Sequence, residues 1–310
     1  MFEKNRNILT VENLSIYFSR YEAGLKKTNL EVISGLNVAV GHSELVAVVG
    51  SSGSGKSLLA HTLLGILPSN CGASGTIHFL GELLDSHRIN ELRGKQIVLV
   101  PQSVTYLDPL KKVGPQVRND RKEQESIERQ EKLFDYYGLK RETSQLYPFE
   151  LSGGMARRVL LSAAMMETPR FIIADEPTPG LHLSAAKRAM LHFREFADQG
   201  NGVLLISHDL ELALEVADKI AVFYAGTTVE MASVKDFKSA ETLRHPYTKA
   251  LWQALPQNGF KPYPGTQPYA GDEIKGCPFV ARCQTVAEAC YGDVPTRSLR
   301  GGLVRCHQAV

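Results

Sequence analysis

Leu45-Val46-Ala47-Val48-Val49-Gly50-Ser51-Ser52-Gly53-Ser54-Gly55-Lys56-Ser57-Leu58-Leu59-Ala60 is the most constrained stretch of this 310-residue chain. Leu45 to Val49 is a continuous apolar run and reads as a buried strand. Gly50 to Ser57 fits G-x-x-x-x-G-K-[ST], a loop that wraps nucleotide phosphates. Leu58 onward reads as a helix. Gly50, Gly53 and Gly55 let the backbone turn its N–H groups inward, and the helix start adds a positive dipole end. Ser51, Ser52 and Ser54 complete the cradle. Lys56 is placed to reach the β/γ-phosphates, and the Ser57 hydroxyl to hold Mg²⁺.

Further apolar runs alternate with helical stretches. Gln96 to Val100, Phe171 to Ala174 and Val203 to Ile206 read as strands, and Met155 to Met166 and Ser184 to Ala197 as helices. The expectation is an α/β fold, a mainly parallel sheet with helices on both faces. The alternating segment up to Phe18 suggests an edge strand, Val38 to Val49 more strand, and Ile220 to Val229 a hairpin around Ala225-Gly226. The charged stretch Arg118 to Lys132 reads as a solvated helix.

A formal net charge of +2 argues neither for nor against nucleic acid, which is not among the expected partners. No apolar run is long enough to span a bilayer. No signal-type apolar core follows Met1 to Asn7, so the expectation is a chain that stays in the cytosol. Of the five cysteines, Cys71 stands alone and reads as an inert residue in a loop. Cys277, Cys283, Cys290 and Cys306 crowd the end of the chain. In the cytosol such a cluster points to metal, zinc or an iron–sulfur cluster, rather than disulfides.

The strand Phe171 to Ala174 ends in Asp175-Glu176. Asp175 is placed to support Mg²⁺, and Glu176 to polarise a water attacking the γ-phosphate. Leu151-Ser152-Gly153-Gly154 precedes a helix and offers a second phosphate-facing N-terminus. This order of motifs resembles the ABC ATPase family, whose signature is L-S-G-G-Q, with Met155 here in place of the glutamine. The resemblance implies ATP and Mg²⁺ as ligands. It also implies that Gln102 senses Mg²⁺ and the attacking water, that His208 contacts the γ-phosphate, and that Phe18, or else Tyr17, stacks on adenine. It implies a sandwich of two ATPase subunits, each completing the other's site with Leu151 to Gly154. Two transmembrane permease subunits would meet the segment after Gln102.

The segments His245-Pro246-Tyr247-Thr248-Lys249-Ala250-Leu251 and Gly276 to Cys283 resemble the oligopeptide/dipeptide/nickel subgroup of ABC importers. That resemblance implies an ABC-type core with antiparallel edge strands over residues 1–245, including a helical subdomain at about 103–168. Residues 246–310 would form a small Cys-rich extension holding a [4Fe–4S] cluster, with zinc, or no metal or a disulfide, as alternatives. Peptides or nickel would be the cargo, delivered by an extracytoplasmic binding protein, and the ATPase would sit on the cytoplasmic face of the membrane. His182 stands where the family carries an aspartate, so the expected partner is a second, different ATPase. A catalytically weak or regulatory half, or a soluble ABC ATPase, are the alternatives.

Overall fold

The computed structural model describes residues 7–21, 27–51, 53–269, 272 and 274–310. In chain order the elements are β1 (Asn7–Tyr21), β2 (Lys27–Gly41), β3 (Glu44–Gly50), α1 (Lys56–Leu63), β4 (Cys71–Phe79), β5 (Glu82–Leu83), α2 (Ser86–Leu92) and β6 (Ile97–Val100). There follow α3 (Val113–Val117), α4 (Gln124–Tyr136), α5 (Gly153–Met166), β7 (Phe171–Asp175), α6 (Leu183–Asp198), β8 (Gly202–Ser207), α7 (Leu210–Val216), β9 (Lys219–Tyr224) and β10 (Thr227–Ser233). The chain closes with α8 (Pro246–Gln253), β11 (Arg297–Leu299) and β12 (Gly302–Val304).

The apolar runs become the middle of an eight-stranded sheet of order β11-β12-β10-β9-β3-β8-β7-β6. β9, β3, β8, β7 and β6 are parallel, and β10, β12 and β11 continue the sheet antiparallel. Alternate residues face opposite sides, as strand geometry requires. Leu45, Ala47 and Val49 join one core with α6, α7 and Phe279 of the C-terminal part. Val46 and Val48 join a second core with α1 and the four-stranded sheet β2-β1-β4-β5. Such a strand is apolar on both faces and reads as a run without period.

Three expectations change. β1 is an interior strand, paired with β2 on one side and β4 on the other. Val38 to Val49 is divided between two sheets by a turn before Glu44, where Ser43 takes φ +56°. Cys71 opens β4 opposite Phe18 rather than lying in a loop.

The helices between β6 and β7 pack on a third core of Val113, Val117, Phe134, Val159 and Leu160. The charged segment supplies α4, which buries Gln130 and Phe134. Its Arg129 donates to the Met165 and Glu167 carbonyls at the end of α5. These carbonyls lack helical partners of their own.

Candidate functional site

Four neighbouring parallel strands end at one rim. Register places Val49 of β3 beside Ser207 of β8, Asp175 of β7 beside Ile206, and Val100 of β6 beside Ala174. Gly50, Gln102, Asp175, Glu176 and His208 therefore emerge at the carboxyl ends of adjacent strands, the usual crevice for ligands in open α/β sheets.

Gly50 runs so close to β9 that a Cβ there would stand 2.3 Å from the Phe223 carbonyl oxygen. Gly55 caps α1 at φ +92°, a conformation that suits glycine. Ser54 and Lys56 are buried, and Lys56 Nζ donates to the carbonyls of Gly50 and Ser51 at 2.9 Å each. Burial lowers the Lys56 pKa, and the carboxylates of Glu176 and Asp175 offset part of that. Burial raises the Asp175 pKa, opposed by a hydrogen bond from Ser57. Ser54 Oγ and Asp175 Oδ1 are buried with no partner among the described residues. Such orphaned polar groups are costly. An acceptor and a donor beside an ammonium and a hydroxyl fit a magnesium nucleotide. Ser52 lies outside the described residues.

Glu176 is the meeting point of the acid and its neighbours. Gln102 Nε2 donates to its Oε2 at 2.9 Å, and His208 Nδ1 lies 3.3 Å from its Oε1. Glu176 holds φ +44°, uncommon for a non-glycine residue. Its N–H is tied to the Ile206 carbonyl at 2.9 Å, which fixes the carboxylate over the rim. A carboxylate so placed can accept a proton from water, and the amide and imidazole can orient both.

Ser152 caps α5, its Oγ accepting from Met155 N at 3.2 Å. Ser152 and Gly153 are exposed, Leu151 and Gly154 half-buried, so the helix start faces outward. Phe18 is half-buried on β1 opposite Leu30, in the other sheet. His182 is exposed before α6 and makes no side-chain cap. Sequence reading missed Arg157. It is buried in α5, donates to the Pro101 carbonyl at 2.8 Å, and its charge is felt by Glu176 and Asp175. The only signal for it was its place in the helix after Gly154.

The four C-terminal cysteines converge. Cys277, Cys290 and Cys306 are buried and Cys283 is half-buried. Burial pushes the Cys277 thiol up to about 11, with the other three thiols adding to the rise. Yet among the described residues no three His, Cys, Asp or Glu side chains stand where they could hold a metal ion. The expectation of a [4Fe–4S] cluster or zinc at Cys277, Cys283, Cys290 and Cys306 finds no support in this arrangement.

Comparison with known proteins gives two family matches: the ABC transporter model over residues 33–179, and the C-terminal region of oligopeptide/dipeptide transporters over residues 229–290. The oligopeptide transport ATP-binding protein of Escherichia coli K12 is 31% identical, covering 96% of this chain and 92% of its own length. That of Bacillus subtilis 168 is 32% identical, with 96% of each chain covered. A probable D,D-dipeptide transport ATP-binding protein of E. coli K12 is 31% identical over 95% of this chain and 93% of its own. Nickel has no support among these relatives. In fold, a dimeric bacterial ABC transporter cassette superposes with TM-score 0.63 at 21% identity, over 73% of this chain and 98% of that one. A part of an ABC transporter complex from Clostridium perfringens gives 0.60 at 25% identity, over 74% and 90%.

Proposed function

This chain belongs to the ABC transporter ATP-binding family, and on that premise we propose that it is the ATP-hydrolysing subunit of a peptide importer. The observation that carries the reading is the convergence of Gln102 and His208 on Glu176, at the strand ends beside the phosphate loop. The cargo rests on the peptide transporters it resembles along nearly its whole length.

In this proposal the backbone of Gly50 to Ser57 and Lys56 bind the phosphates, and Phe18 stacks on the base. Ser57, Asp175 and Gln102 hold Mg²⁺, which supplies charge neutralisation of the phosphate oxygens. Glu176 takes the proton of the attacking water. His208 steadies Glu176 and the γ-phosphate, and Gln102 aligns the water. Leu151, Ser152, Gly153 and Gly154 serve the nucleotide of a second subunit, which the exposure of Ser152 and Gly153 supports. The exposed His182, in place of an aspartate, supports a heterodimer with a different ATPase. Among the described residues no helix is long and apolar enough to cross a membrane. By analogy with the peptide transporters it resembles, two permease subunits would hold the chain at the cytoplasmic face, with an extracytoplasmic binding protein delivering the peptide.

We place the division between the ATPase part and the extension at residues 245 and 246. The four cysteines stay outside the chemistry. A [4Fe–4S] cluster or zinc there rests on their number and proximity alone, and iron, sulfide and zinc analysis of anaerobically purified protein decides it. The function is tested by reconstituting the chain with its permeases, partner ATPase and binding protein in proteoliposomes. ATP-dependent peptide accumulation is the expected result; absence of uptake for every peptide length, with ATP turnover intact, rejects the cargo.

A further inference from the structure

The phosphate loop is gripped by a part of the chain that lies outside its motifs. The segment after α8 is anchored at Tyr263 and Pro264, whose carbonyls accept from Arg282 at 3.2 and 2.9 Å. The Tyr263 hydroxyl returns a bond to the Arg282 carbonyl at 2.7 Å, and the Arg282 guanidinium lies 5.5 Å from the ring centroids of Tyr263 and Phe279. Shortly beyond this clamp, Gln267 meets the loop: the Ser51 hydroxyl donates to Gln267 Oε1. Tyr247 of α8 packs behind this clamp, against the same Phe279. The Tyr247 ring is fixed against Tyr224 at 4.4 Å and Phe279 at 5.5 Å.

Ser51 is thus held on its carbonyl by Lys56 and on its hydroxyl by Gln267 of the C-terminal part. Gln267 also lines a cavity of about 730 Å³ together with Gly53 at the loop's tip and Leu30, the β2 residue opposite Phe18. The walls of this cavity come from the phosphate loop, from the sheet that carries Phe18, and from the extension.

We propose that Gln267 is a positioning residue for ATP, acting through Ser51 to keep the phosphate loop in its nucleotide-bearing shape. The inference rests on the ATPase reading above. A loop of glycine and serine has much backbone freedom to lose. Contacts that restrict it before the ligand arrives strengthen binding without touching the ligand. Gln267 contributes nothing to the proton transfer, so its loss weakens nucleotide affinity more than turnover.

The test is MgATP binding to the full chain by isothermal titration calorimetry, followed by KM and kcat in the assembled transporter. Gln267→Ala and Ser51→Ala are each expected to raise the Kd about three- to tenfold, with a matching rise in KM and a smaller change in kcat. The double variant of Gln267 and Ser51 is expected to lose no more than either single variant, because the two side chains form one contact. An unchanged Kd for Gln267→Ala, or a double variant whose loss is the product of the two singles, overturns the proposal. Lys56→Ala separates this from the premise. If wild type binds MgATP no better than Lys56→Ala, the ATPase reading itself fails. If wild type binds, Lys56→Ala does not, and Gln267→Ala equals wild type, only the positioning role falls.

Discussion

In the parallel half of the eight-stranded sheet, β3, β8, β7 and β6 each lead into a residue of the candidate site. In the antiparallel half, β10, β12 and β11 supply none; their interior is held instead by an ion pair. Arg244 and Glu230 are fully buried at 3.1 Å, and Arg244 also donates to Asp236 and to the Leu299 and Arg300 carbonyls of the β11–β12 hairpin. Glu230 further accepts from the backbone N–H groups of Arg244 and His245. The contrast follows from strand direction. Parallel neighbours deliver their carboxyl ends to a single rim, where side chains can converge. Antiparallel neighbours send alternate ends to opposite rims, so that half is suited to anchoring the tail rather than assembling a site.

The sharpest way to break the contrast is Glu230→Ala. It leaves Arg244 short of its buried partner and two N–H groups without an acceptor, a change expected to cost about 3–5 kcal/mol. Chemical denaturation should show the loss, and hydrogen exchange should place the first opening at β10, β11 and β12 while β3, β7 and β8 stay protected. Uniform loss of protection across the sheet would mean that the two halves are one cooperative unit.

The Ala225–Gly226 turn joins the halves. Gly226 takes φ +78°, and a Cβ there would stand 2.3 Å from the Val32 carbonyl oxygen, so Gly226→Ala is expected to cost about 1–3 kcal/mol. A melting temperature equal to wild type would show that the turn and β2 shift apart freely.

An effect that is absent at neutral pH and grows only on acidification is confined to the antiparallel side. His245 is buried and its pKa falls from 6.5 to about 3, because burial disfavours the imidazolium. Its Nδ1 caps α8 by accepting from Tyr247 N at 3.0 Å. The unfolded chain binds a proton below pH 6.5 that the folded chain refuses until about pH 3. Stability is therefore full above the unfolded value and falls through that window as pH drops, by about 1.4 kcal/mol per pH unit from this group. His245→Asn keeps a capping acceptor and should remove that part of the slope. An identical acid slope in the variant assigns the loss to carboxylates instead.

What the sequence revealed follows the same division. The parallel strands were legible because burial on both faces demands unbroken apolar runs, and the phosphate loop because backbone crowding at Gly50 and positive φ at Gly55 restrict the residue type. Asp175 and Glu176 were legible as carboxylates ending a buried strand. The interior position of β1 was not, since alternation reports which face is buried and says nothing of how many neighbours a strand has. β11 and β12 are three residues each, too short for any period to show. The contact between Ser51 and Gln267 spans 216 positions and leaves no local pattern. Arg157 was hidden in the same way, because its bond to Pro101 depends on how two elements meet. The four cysteines are the opposite case: a dense local pattern suggests a metal, and the arrangement of the described side chains lends it no support.

The central claim is that Glu176, held by Gln102 and His208, makes this chain an ATPase. It is tested most directly by the single-turnover hydrolysis of ATP in the assembled transporter carrying Glu176→Gln. The account predicts MgATP binding within about threefold of wild type and hydrolysis slowed by at least about 100-fold, the size expected when a general base is removed. Hydrolysis at the wild-type rate on this subunit's nucleotide would contradict it, and would place the cleavage of ATP elsewhere in the complex.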